Sequence, residues 1–128
     1  MNIAVSFPGG VAVDARLGGH VVRTDQPLPV GADEAPAPFD LFLASIATCM
    51  GFYALRFCQQ RGIATDGLGL SLETVRDPEK KRLRAIRASL ALPPGFPESH
   101  RPAILRAIDQ CAVKKHVIEP PEFELSAT

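Results

Sequence analysis

From Leu41 to Cys58 almost every residue is apolar or small, at every angular position that a helix would give it. A helix apolar all round has no face to offer water, so a curved sheet or a second chain must enclose it. Its limits are marked. Pro38 suits a first helical position, and Asp40 in the first turn complements the positive end of the helix dipole. Arg56 and Arg61 come late, and Gly62 ends the segment. The mostly apolar stretch Phe39–Leu55 is interrupted by Asp40, Ser45 and Thr48, is slightly short for a bilayer and has no anchoring charged flanks. A buried core helix is expected, with no membrane.

The remaining segments supply the cover. Asn2–Phe7, Val11–Leu17 and His20–Thr24 read as short strands, separated by Pro8-Gly9-Gly10 and Gly18-Gly19, and make an antiparallel meander. Asp25–Pro38 is a loop rich in proline, glycine and acidic residues, long enough to shape a binding site. Leu68–Arg76 and Arg82–Leu92 form a second antiparallel pair around Asp77-Pro78-Glu79-Lys80. A second helix is predicted over Ser99–Ala112, with Ile104, Ile108 and Cys111 on one stripe. Val117-Ile118 and Phe123–Leu125 are weak strand signals. The order is β-β-β-α-β-β-α-β, an α+β arrangement, and 128 residues fit one domain spanning 1–128.

Lys+Arg and Asp+Glu balance at 14 each, so the chain lacks the basic footprint of a nucleic-acid binder. The amino terminus shows no basic or long apolar leader, which points to a cytoplasmic chain. In that reducing compartment, three cysteines are inert core residues or redox-active thiols rather than a disulfide framework.

Their placement separates them. Cys49 sits in Ala44-Ser-Ile-Ala-Thr-Cys-Met-Gly-Phe, where small neighbours leave space beside the thiol. Cys111 lies on the inward stripe of the second helix and is followed by Lys114-Lys115-His116, cations that would favour a thiolate. The negative end of that helix would oppose ionisation of Cys111, so Cys49 is the expected attacker and Cys111 its partner. Cys58, nine residues beyond Cys49, falls on the opposite helix face and is structural. His20 and His116 have no zinc-site spacing with any partner, His100 reads as a surface residue, and neither metal nor cofactor is expected.

Pro36-Ala-Pro-Phe-Asp-Leu-Phe-Leu-Ala-Ser-Ile-Ala-Thr-Cys resembles the pattern GPxPxELLLAALxxC of the OsmC/Ohr family, the osmotically inducible and organic hydroperoxide resistance proteins. Gln110-Cys-Ala-Val-Lys-Lys resembles the second signature, and Thr24-Asp-Gln-Pro with Gly31 resembles the family's upstream loop. The resemblance implies an intertwined homodimer whose sheets wrap two central helices. It implies that Cys49 reduces an organic hydroperoxide, that Cys111 closes a disulfide with it, and that a dithiol reductant restores both. It also implies an arginine near the departing oxygen, Arg23 in preference to Arg16, held by a carboxylate at Asp40. The alternatives are a non-catalytic redox-sensing or ligand-binding dimer and, third, a hot-dog thioesterase.

Overall fold

The computed structural model describes all 128 residues, and its internal contacts divide them into two compact units, residues 1–44 and 45–128.

In the first unit, β1 (Ile3–Gly9), β2 (Ala12–Leu17) and β3 (His20–Thr24) form an antiparallel meander in that order. Gly18 turns β2 into β3 with φ of 56°, a conformation that costs glycine no steric penalty. Pro8 cannot donate to a ladder; it lies on the edge strand, where the β1–β2 register slips between Ser6 and Gly9.

After β3 the chain folds around Asp25, which is 5% exposed. Its carboxylate accepts the N–H groups of Gln26 at 2.8 Å and of Ala32 and Glu34 at 3.2 Å each. The Gln26 and Glu34 amides hold this carboxyl below its ordinary value, against the opposing effect of burial. Gly31 is pressed against the same knot. A Cβ there would fall inside van der Waals contact of Gln26 O and Asp25 Oδ1. Gly31→Ala is therefore expected to cost about 1–3 kcal/mol, read as a lower midpoint in urea unfolding.

Helix α1 (Pro38–Gln60) carries the chain from the first unit into the second. At its start, Asp40 Oδ2 accepts the Ala37 N–H at 3.3 Å, the back-reaching half of a capping box. At its end, Gly62 takes φ of 64°, while Ile63 N–H reaches Cys58 O and Gly62 N–H reaches Gln59 O. This is a Schellman stop.

In the second unit, β4 (Gly69–Asp77) and β5 (Arg82–Ala91) form a hairpin with a register irregularity at Val75/Arg76. A 3₁₀ turn at Glu98–His100 leads into α2 (Arg101–Ile108), and α3 (Ala112–Ile118) follows. Ala54, Phe57 and Cys58 of α1 pack with Phe96, Ile104 and Ile108 into the core. His100 is not the surface residue expected. Its ring stands edge-on to Phe57 and Phe96, with centroids 6.1 and 6.4 Å away.

Two expectations are corrected. The second helix does not run through to Ala112: it stops at Ile108, and a new helix starts after Cys111. The predicted closing strand is absent, since Val117 and Ile118 end α3 and residues 119–128 have no regular structure. The α+β class and the order up to the second helix stand. Helix α1 is not enclosed by its own chain either: 28% of its most apolar window is buried, and by length and composition alone it could cross a bilayer.

Candidate functional site

The stop at Ile108 builds the site. Asp109, Gln110 and Cys111 still donate to Leu105, Ala107 and Ile108 carbonyls, but Cys111 then adopts φ −46°, ψ 116° and the chain turns away. Cys111 becomes the N-cap of α3. Its Sγ accepts the Lys114 N–H at 3.4 Å, and its carbonyl accepts the Lys115 N–H at 3.0 Å. The thiol is fully buried and faces Ile46 O across 4.0 Å. Ile46 lies one turn before Cys49 on α1, so the same face presents Cys49 to the start of α3.

The two thiols act on one another, and their surroundings drive them apart in acidity. Burial opposes ionisation of Cys49. The Val113 N–H, the Cys111 thiol and the Ala112 N–H together outweigh it, so the Cys49 thiol lies below its ordinary value. Cys111 lies above it. Burial is the main cause, the Lys114 N–H works the other way, and the Cys49 sulfur adds to the rise. At a shared site, Cys49 therefore ionises first and Cys111 keeps its proton.

The cations expected to activate the pair are turned elsewhere. Lys114 Nζ pairs with Asp109, Lys115 Nζ donates to Gln110 Oε1 at 2.8 Å, and His116 Nδ1 donates to the Ala112 carbonyl at 2.7 Å. The Cys49 thiol is lowered instead by main-chain N–H groups at the beginning of α3 and by the Cys111 thiol. The expectation that Cys111 sits at the negative end of a helix is reversed, because it caps the positive end of the next one. The sequence offers a faint signal of this. Gln110-Cys111 precedes a run that can start a helix afresh, but cysteine is not among the preferred caps.

Cys58 is fully buried in the core, and burial raises its thiol in spite of the nearby Arg61 charge. In the first unit, Arg23 stands opposite Asp14 in the β2–β3 register and lines a concavity of about 260 Å³ with Asp14, Asp25 and Glu34. Neither Arg23 nor Arg16 forms an ion pair with Asp40, which caps α1. No group of three or more His, Cys, Asp or Glu side chains is arranged to hold a metal ion.

A family model described as OsmC-like protein matches residues 31–126. Among solved structures, the chain is similar to an osmotic stress induced and detoxification response protein from Psychrobacter arcticus, with TM-score 0.75 and 19% identity over 90% of this chain and 86% of the other. An OsmC like protein from Mycoplasma pneumoniae gives TM-score 0.73 and 14% identity, covering 93% of this chain and 87% of that one. An organic hydroperoxide resistance protein OsmC from Legionella pneumophila gives 0.56 and 17%, covering 91% and 89%. None of the curated proteins compared by sequence matches.

Proposed function

Because the chain belongs to the OsmC-like family, we propose that it reduces organic hydroperoxides with the Cys49–Cys111 pair, as one subunit of an intertwined homodimer in a reducing cytoplasm. The observation that carries the reading is the placement of Cys111, buried as the cap of α3 and facing the Ile46 carbonyl one turn before Cys49, where burial and main-chain N–H groups set the two thiols apart in acidity. Family membership supports a redox role in peroxide stress, and the Legionella neighbour's description as an organic hydroperoxide resistance protein points the same way.

The steps balance without a cofactor. The Cys49 thiolate attacks the terminal peroxide oxygen, the O–O bond breaks, and the alkoxide leaves to take a proton as the alcohol. Cys49 is then a sulfenic acid. The Cys111 sulfur attacks it, water departs, and a disulfide remains for an external dithiol to reduce. Arg23 is the proposed cation for the departing oxygen and Asp40 its proposed holder. Asp40 Oδ2 is engaged by Ala37, which leaves Oδ1 for a guanidinium.

The absence of that ion pair within one chain favours a second reading, a redox sensor that oxidises once and does not turn over. Reduced protein is mixed with cumene hydroperoxide and a dithiol donor, and peroxide loss is followed. The peroxidase reading expects many equivalents consumed per subunit. Consumption that halts after one equivalent supports the sensor, and no consumption removes both.

A further inference from the structure

The end of α1 and the length of α2 border a cavity of about 520 Å³ that lies wholly in the second unit. Its size is that of a small-molecule pocket. Neither Cys49 nor Cys111 lines it. Its charge is one-sided: Arg61 and Arg106 both border it, and no aspartate or glutamate does. The ion pairs of the chain, Arg87–Glu73, Arg101–Glu98 and Lys114–Asp109, involve neither arginine.

Arg61 is the fixed member of the two. Its guanidinium lies 3.6 Å over the Phe57 ring, and its Nη1 donates to the Phe57 carbonyl at 3.3 Å. Phe57 is itself held in the core beside Phe96 and His100. One carbonyl uses little of a guanidinium's five N–H donors. Arg106 has no hydrogen-bond or ion-pair partner at all. Neutral donors stand with them. Gln110 Oε1 accepts from Lys115 Nζ at 2.8 Å, which leaves the amide nitrogen of Gln110 free to donate, and the Tyr53 hydroxyl borders the same space. Two like charges on one cavity repel, whereas an oxyanion placed there would meet charge-assisted donors from both.

We propose that this cavity binds a small organic anion, its carboxylate or phosphate group held by Arg61 and Arg106 and its apolar body against Ala103 and Ala107. The site is separate from the thiol pair, and its ligand is not the hydroperoxide.

The test titrates reduced protein with benzoate, with phenyl phosphate, and with benzamide as an uncharged analogue of benzoate. The Gln110 side-chain amide and the Arg61 and Arg106 backbone amides are followed by NMR. At least one anion is expected to saturate with a Kd of about 0.1–1 mM at low salt, weakening as salt is added. Preference for benzoate or for phenyl phosphate tells whether the group is a carboxylate or a phosphate. Arg106 is exposed, so Arg106→Gln leaves the core intact and is expected to weaken binding about tenfold. Arg87→Gln, on the hairpin, is expected to bind as wild type does. Benzamide binding as tightly as both anions overturns the proposal, as does the absence of saturation by either anion or a Gln110 amide that does not move. Wild-type affinity in Arg106→Gln also overturns it, and leaves Arg106 as a complement to the α2 dipole. No readout uses a hydroperoxide, so loss of the peroxidase reading and loss of this one are separable.

Discussion

Cys49→Ser is expected to lower the rate of hydroperoxide consumption about a thousandfold or more, to the level of the buffer. A serine hydroxyl stays protonated across the working range, and the main-chain N–H groups that assist a thiolate have no anion to hold. Cys111→Ser is expected to behave differently. It keeps the attacking thiolate, so the first equivalent of peroxide is still consumed. Serine is a better N-cap than cysteine, so α3 should persist. Without a resolving sulfur the reaction stops at the sulfenic acid, which excess peroxide carries on to the sulfinic acid. Mass spectrometry of the Cys49 peptide reads these states directly. The pH dependence has a definite sign: the first-step rate falls as Cys49 protonates on the acid side, and its midpoint lies below that of an ordinary thiol. Consumption by Cys49→Ser at the wild-type rate would end the assignment.

The elements with strong local causes were readable from residues alone. Gly18-Gly19 marks the β2–β3 turn, Pro38 and Gly62 bracket α1, and Asp77–Lys80 lies at the tip of the β4–β5 hairpin. The break after Ile108 was not. No glycine or proline stands between Arg106 and Glu119, and the helical stripe Ile104, Ile108, Cys111 continues across the interruption, with all three side chains buried. Periodicity therefore carries a helix through a point where hydrogen bonding ends it. Val117-Ile118 misleads in the other direction, because β-branched residues next to Pro120-Pro121 suggest a strand where the cap at Cys111 sustains a helix. The consequence for the site is large. Residue types identified both thiols, but which groups tune them depends on where α3 begins. The lysines, legible as charges, proved occupied, whereas the Ala112 and Val113 N–H groups leave no mark in a sequence.

Phe52→Asp is expected to weaken self-association by about 30- to 1,000-fold, or roughly 2–4 kcal/mol. The inner stripe of α1 already packs in the second unit through Ala54, Phe57 and Cys58. Its other side leaves Phe52 56% and Leu55 37% exposed. In the first unit, Ile3, Val5 and Phe7 alternate along β1, so they share one face, and all three are exposed. Burying each such side chain is worth about 1.5–3 kcal/mol, and two copies of the chain would supply the cover twice over. A bilayer is the other medium that suits an apolar helix, but a helix with one face packed on its own hairpin and α2 needs a covering surface on the remaining side only. Analytical ultracentrifugation without detergent should therefore find wild type as a dimer at micromolar concentration and Phe52→Asp largely as a monomer. A wild-type monomer that keeps its helical content would remove the dimer. Precipitation relieved by detergent or lipid would favour the membrane instead.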